Sequence, residues 1–82
     1  MVRTLYVGNL PWATTEEELA RAFAAHGEVL SARIITDRQT GRSRGFGFVE
    51  VNDADAEGMI AAMNGAELGN RVLTVNEARA RS

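Results

Sequence analysis

The stretch "RGFGFVEV", residues 44–51, decides the fold, because it separates large and small side chains in an unusual way. In a strand, successive side chains point to opposite faces. Phe46 and Phe48 then share one face, and the two glycines beside them share the other. Val49 and Val51 lie on the same face as the glycines and are its apolar side chains. The sequence therefore predicts a strand with one face for packing and a second face that carries aromatic rings.

The elements around this strand follow from the period of the apolar residues. Runs rich in β-branched and aromatic residues predict strands at 4–10, 29–36 and 71–78 besides the central strand at 45–51. Helical periodicity and start signals predict helices at 15–27 and from about 53 to 63. Residues 37–43, "DRQTGRS", have the composition of a polar loop.

The helix ends carry start and stop residues. Thr15 and Glu18 have the spacing of a capping box, and Gly27 stands at the stop position of the first helix. Asn52 or Asp53 is expected to cap the second helix, which ends at Asn64-Gly65. Each helix has a single apolar stripe, so His26, which lies on the first stripe, is expected to pack. The stripes are Leu19, Ala22, Phe23 and His26, and then Ala56, Met59, Ile60 and Met63.

The resulting order βαββαβ predicts an α+β fold of the ferredoxin-like type. Two helices with one stripe each cover one face of a four-stranded antiparallel sheet and leave the other face open. The length of 82 residues suits one domain, and we expect residues 1–82 to form it, with a core of about 3–78 and a short tail at 79–82.

Composition excludes several classes of function. The chain has no cysteine and one histidine, so a disulfide framework, a thiolate zinc site and a multi-histidine metal site are excluded. We expect no cofactor, no metal and no enzymatic activity, since no nucleophile and base are paired. No apolar run is long enough for a membrane span, so we expect a cytoplasmic protein without membrane contact. The net charge is -2, and all nine basic residues are arginine. Most of them lie away from the acidic helix starts, and such a separation of charge can leave one positive face on an acidic protein.

The open face carries Tyr6 of the first strand beside Phe46 and Phe48. Leaving a large apolar side chain in water costs about 1.5–3 kcal/mol relative to burial. One interpretation is that a partner, a tail or a second copy of the domain covers the rings. The other is that each ring stacks on an unpaired base, and that Arg44 contacts a phosphate.

These residues resemble the RNA recognition motif family. "RGFGFVEV" is similar to the longer signature of that family, and "LYVGNL" at 5–10 is similar to the shorter one. The resemblance extends over essentially the whole chain. It implies the strand order 4-1-3-2, with single-stranded RNA across the sheet, stacking by Tyr6, Phe46 and Phe48, and a backbone contact by Arg44. Val51 departs from the aromatic residue of the pattern, on the side of the strand that faces the helices.

Further candidates for RNA binding surround the rings. Arg33 lies on the outward side of the second strand, and Arg42 in the following loop. Asn76, Glu77 and Arg79 are favoured by the resemblance, because base contacts often follow the fourth strand of the family. Arg38 and Glu50 are as compatible with solvated side chains as with RNA contacts.

Two alternatives to RNA stay open at this point. A protein-interaction module can have the same fold, and single-stranded DNA is compatible with stacking, which does not depend on the sugar. We expect a monomer. Trp12 is expected to pack over one end of the core, and Asn9 to end the first strand by bonding its own backbone.

Overall fold

The computed structural model describes residues 1–41 and 43–78, and within them a sheet covered on one face by two helices. The strands are β1 (Val2–Gly8), β2 (Val29–Thr36), β3 (Ser43–Asn52), β4 (Glu67–Leu68), β5 (Arg71–Val72) and β6 (Thr74–Glu77), and the helices are α1 (Glu16–Ala24) and α2 (Asp53–Met63). The expected arrangement of strands and helices is confirmed. No helix in the described residues is long and apolar enough to cross a membrane.

The main sheet has the order β2-β3-β1-β6, and all its neighbouring strands are antiparallel. With β6 as the fourth strand of this sheet, this is the expected order 4-1-3-2. One apolar core fills the space between the sheet and the helices. Its buried residues are Leu5, Val7, Leu10, Leu19, Phe23, Val49, Val51, Ala56, Met59, Met63, Leu73 and Val75. The helix-facing side of β3 was therefore predicted correctly.

Both helices begin at the expected caps. Thr15 Oγ1 accepts from the backbone N–H of Glu18 at 3.1 Å, and the Glu18 carboxylate accepts from the Thr15 N–H at 2.9 Å, which completes the capping box. Asn52 Oδ1 accepts from the Ala54 N–H at 3.1 Å and caps α2. These bonds satisfy N–H groups that have no partner within a helix.

The first helix ends earlier than the pattern predicts. It stops at Ala24, with Ala25 as its cap, and His26 is exposed, so the prediction that His26 packs was wrong. Gly27, which was expected at the stop position, follows the cap residue Ala25 by two positions. A Cβ at Gly27 would lie 2.8 Å from Met59 Cε, so this glycine allows the chain after α1 to pass close to α2.

The predicted strand at 71–78 is divided in two. Arg71–Val72 forms a small hairpin with Glu67–Leu68, and only Thr74–Glu77 joins the main sheet. Leu73 separates the two parts because its side chain is buried in the core. Its N–H donates to Ala66 O at 2.8 Å, away from the main sheet.

Two residues before α1 also differ from expectation. Trp12 is 69% exposed and does not cover the core. Asn9 has a φ of 63° and bonds the β5 segment instead of its own backbone. Its Nδ2 donates to Val72 O at 2.7 Å, and its Oδ1 accepts from Arg71 Nη1 at 2.9 Å. Asn9 thus attaches the end of β1 to the small hairpin.

Gly47 is required by a neighbouring strand and not by the helices. A Cβ at this position would lie 2.2 Å from the carbonyl oxygen of Arg33 in β2. The β2–β3 register shifts between Ile34 and Thr36, next to this close approach. The glycine therefore permits an irregular pairing of the two strands.

The outer edge of β2 is occupied by a side chain from α1. Glu16 Oε2 accepts from the backbone N–H of Ile34 at 3.0 Å. A second register shift, between Val29 and Ser31, interrupts the other end of the strand pairing. On the outer edge of β2, the Ile34 N–H is therefore already bonded within the domain.

Candidate nucleic-acid interface

The side of the sheet opposite the helices forms a surface that we call the open face. The register places its residues in rows across the four strands. One row holds Phe46, Gly8 and Thr74, the next holds Arg33, Phe48, Tyr6 and Asn76, and the third holds Ser31, Glu50 and Thr4. Each of these residues alternates along its strand with one that faces the core.

Three aromatic rings occupy the centre of the open face. The ring centroids are 5.8 Å apart for Tyr6 and Phe46, 6.0 Å for Tyr6 and Phe48, and 6.1 Å for Phe46 and Phe48. We call these three residues the aromatic cluster. All three are half-buried and lie outside the apolar core. The rings shield one another partly and still present surface to solvent.

Gly8 allows the Tyr6 ring to lie along the strand. A Cβ at Gly8 would be 2.7 Å from Tyr6 Oη and 2.9 Å from Cε2. Any side chain at this position would displace the ring toward solvent. The glycine that follows Tyr6 therefore helps to set the position of the aromatic cluster.

The polar residues of the open face surround the rings on adjacent strands. Arg33 lies directly opposite Phe48, and Asn76 directly opposite Tyr6. Glu50 lies between Ser31 and Thr4 in the third row. Ser31 is a further member of this face that was not among the predicted residues, although its spacing of two residues from Arg33 indicates the same side of β2.

The structure separates Glu77 from the rings. Glu77 lies opposite Leu5 in the register, on the core side of the sheet, and its carboxylate accepts from Arg3 Nη1 at 3.2 Å. Arg3 also forms an ion pair with Asp53 at the start of α2. The hydrogen bond to Asp53 and the charges of Asp53 and Glu77 raise the pKa of Arg3, so its charge is secure. Of the two β6 candidates, only Asn76 lies on the open face.

The arginines predicted to contact phosphate are placed unequally. Arg33 is exposed on β2, and Arg38 is exposed in the loop before β3. Arg44 belongs to β3 by its backbone, and its side chain lies outside the described part of the structure. The predictions for Arg42 and Arg79, and for the tail at 79–82, fall outside the described residues.

The open face offers three kinds of groups for non-covalent contact. Residues 1–41 and 43–78 hold no group of three or more metal-ligating side chains. Aromatic faces stack on planar ligands, an exposed guanidinium donates to phosphate or base oxygens, and amide and carboxylate groups bond to polar base edges. These are the capacities of a surface that binds an extended chain of bases.

Comparison with known proteins gives a consistent result. The family model described as the RNA recognition motif matches residues 5–74. The chain is 53% identical over 77 residues to glycine-rich RNA-binding protein 8 of Arabidopsis thaliana, a match that covers 93% of this chain and 46% of that protein. The chain thus spans about half the length of the curated relatives that it matches.

Solved structures agree with the sequence relatives. The crystal structure of RNA Binding Protein PG1 superposes with a TM-score of 0.90 at 47% identity and covers 98% of both chains. The structure of the Rna15 RRM with bound RNA (GU) has a TM-score of 0.82 at 32% identity, over 95% of this chain and 84% of that one. The signatures, the fold and these comparisons together establish that the chain belongs to the RNA recognition motif family.

Proposed function

We propose that this domain binds single-stranded RNA across the open face, with bases stacked on the aromatic cluster. The observation that carries the proposal is the placement of Tyr6, Phe46 and Phe48 on one surface, with centroids 5.8–6.1 Å apart and outside the core. A fold that needed these rings for its own stability would bury them. Their position instead serves a ligand with planar apolar surfaces.

Stacking supplies free energy on the right scale. Each base stacked on an aromatic side chain contributes about 1–3 kcal/mol by alanine substitution. Two or three such contacts reach the affinity range of a transient complex before any phosphate contact is counted. Arg33 adds one exposed positive charge at the edge of the cluster. The net charge of -2 limits the attraction of the whole domain to phosphates, so the proposal depends first on stacking.

Relatives support the choice of ligand. A curated relative at 53% identity is named a glycine-rich RNA-binding protein, and one solved neighbour of the same fold holds bound RNA. Unpaired RNA is favoured over a duplex because the faces of paired bases are stacked inside the helix and are not available to side chains.

The test is a titration followed by amide chemical shifts. Short single-stranded RNA should shift the amides of β1, β3 and β6 around the aromatic cluster and leave α1 and α2 nearly unchanged. Double-stranded RNA of equal length is the control and should produce much smaller shifts. Shifts confined to the helices, or absent with every RNA, would contradict the proposal.

The same titration distinguishes the alternatives. Single-stranded DNA of equal sequence shows whether the domain depends on the 2′-hydroxyl, since stacking alone does not. If the rings serve a contact with a protein and not with RNA, adding RNA will not shift the amides around them. A protein-interaction module would then replace the RNA-binding one.

We further propose that residues 1–82 act as one module with its core at 3–78, as a monomer in the cytoplasm, and by binding without catalysis. The single core that joins both helices to the sheet supports the first part. Sedimentation analysis tests the monomer, and fractionation of cells tests the location.

A further inference from the structure

The ring of Phe48 has two charged neighbours of opposite sign on the open face. Arg33 is its direct cross-strand partner on β2, and Glu50 is two residues further along β3. An open cavity of about 810 Å³ borders this ring. Five of the residues that line this cavity lie on the open face, and we call them the Phe48 subsite. They are Phe48, Thr4, Ser31, Arg33 and Glu50.

Neither charged side chain is engaged within the described protein. In residues 1–41 and 43–78, Arg33 and Glu50 make no ion pair and no side-chain hydrogen bond, and both are exposed. The contrast is with Arg3 and Glu77, which neutralise each other at the end of the same sheet. The Phe48 subsite therefore offers one free donor group and one free acceptor group beside a stacking surface.

A carboxylate at this place needs a reason beyond solubility. The RNA backbone is negatively charged, and like charges repel. If Glu50 only met solvent, it would oppose binding. A carboxylate favours binding when it accepts hydrogen bonds from a base, because a charge-assisted hydrogen bond is stronger than a neutral one.

The carboxylate of Glu50 and the guanidinium of Arg33 require different hydrogen-bond partners. An ionised carboxylate only accepts hydrogen bonds, and a guanidinium only donates them. Guanine presents two donors, N1–H and N2–H, on its Watson–Crick edge and two acceptors, O6 and N7, on its Hoogsteen edge. Uracil has a single ring donor between two carbonyl groups, and adenine and cytosine each offer one amino group next to a ring acceptor. Guanine alone matches a carboxylate and a guanidinium with two hydrogen bonds each.

The directions of the two groups also suit guanine. Arg33 lies sideways from Phe48, about 4.5–5.5 Å away between Cβ atoms in an antiparallel pair. Glu50 lies along the strand, about 6.6 Å away at twice the rise per residue. These directions are nearly perpendicular, and the two edges of guanine are adjacent sides of one base. A guanine stacked on Phe48 can thus turn one edge to each group.

We propose that the Phe48 subsite selects guanine, with Glu50 accepting from its Watson–Crick edge and Arg33 donating to its Hoogsteen edge. The inference rests on the proposed binding of single-stranded RNA and assigns a base preference to one place on that surface. It makes Glu50 and Arg33 specificity residues in addition to the stacking residues.

The test uses uridine tetramers in which one guanosine occupies each position in turn. At one position, guanosine should bind the wild-type protein at least about fivefold more tightly than uridine, the change expected for one good bidentate pair. Glu50→Gln should remove most of this advantage, because an amide accepts with one atom only. The same variant should bind the all-uridine tetramer at least as tightly as wild type, since a negative charge is removed.

Base analogues assign each edge to its residue. Inosine lacks the amino group of guanosine and should bind wild type more weakly than guanosine does, but the two should bind Glu50→Gln alike. The deaza analogue that lacks N7 should lose affinity with wild type and not with Arg33→Lys, which keeps the charge and loses the fork of two donors.

Control variants separate base recognition from charge. Glu57→Gln removes an equal charge from the exposed side of α2 and should keep the full guanosine advantage. Thermal melts should show that all these exposed substitutions leave the fold intact. An equal guanosine advantage in wild type and Glu50→Gln, or no advantage at any position, would overturn the guanine subsite. A failure of every tetramer to bind would instead overturn the proposed function.

Discussion

The two faces of β3 show how one strand serves two purposes. Val49 and Val51 are 0% exposed in the core, whereas Phe46 and Phe48 are half-buried and lie outside it, with ring centroids 6.1 Å apart. The period of two residues separates the groups that hold the fold from the groups that meet the ligand. Stability and recognition should therefore respond to different substitutions in adjacent positions.

The largest effect is expected at Gly47, where β3 has no space for a side chain. Gly47→Ala places a methyl group 2.2 Å from the carbonyl oxygen of Arg33, so β2 and β3 must separate or change register. We expect a loss of about 3 kcal/mol or more in the free energy of unfolding, at the upper end of overpacking effects. Chemical denaturation measures it.

Gly58→Ala is the matched control for this substitution. A Cβ at Gly58 meets nothing within 4 Å, and the residue lies inside α2. Alanine there should stabilise the protein by about 0.5–1 kcal/mol, because glycine is a poor helix former. Equal stability of Gly47→Ala and wild type would show that β2 adapts without cost.

On the core side of β3, Val49→Ala removes two buried methyl groups. We expect a loss of about 1–3 kcal/mol in the free energy of unfolding, as for a small cavity in a core. RNA affinity, measured well below the melting temperature, should change little because the side chain does not reach the open face. A large loss of affinity with an intact fold would break the separation of the two faces.

On the open side, Phe48→Ala should have the opposite pattern. The loss of one stacking surface should weaken binding of single-stranded RNA by about 1–3 kcal/mol, and Phe46→Ala should act similarly. The melting temperature should fall less than for Val49→Ala, since neither ring is in the core. If Phe48→Ala instead lost stability and kept its affinity, the protein-interaction alternative would be favoured.

The smallest effect is expected at Trp12. Its side chain is 69% exposed, so Trp12→Ala should change the free energy of unfolding by no more than about 0.5 kcal/mol. Leu19→Ala, at a fully buried position of α1, serves as the comparison and should cost about 2–5 kcal/mol. A cost for Trp12→Ala near that of Leu19→Ala would mean that the indole packs on the core in solution.

Local sequence patterns were sufficient to predict most strands and helices and the two faces of the sheet. The second strand was predicted at 29–36 and lies at Val29–Thr36, and the capping box at Thr15 is formed as predicted. Both depend on residues within a few positions of one another. The face on which Tyr6, Phe46 and Phe48 lie follows from strand alternation alone, and the structure confirms it.

Contacts between distant parts of the chain could not be predicted from local patterns. Asn9 bonds residues 62 and 63 positions away, and Arg3 bonds Glu77 across 74 positions. The close approach that requires Gly47 comes from the neighbouring strand β2. Nothing near these residues in the sequence indicates such partners. The division of the last predicted strand has the same origin, because it follows from the burial of Leu73 in the core.

The hydrogen bond between Glu16 and the Ile34 N–H has a consequence for self-association. A strand at the edge of a sheet is a template on which a second molecule can add its own strand, and this is a common route to aggregation. Here the incoming strand would have to displace a carboxylate that the N-terminal end of α1 stabilises. The first turn of α1 therefore covers part of the β2 edge as well as starting the helix, on a domain whose aromatic rings are open to solvent on the other face.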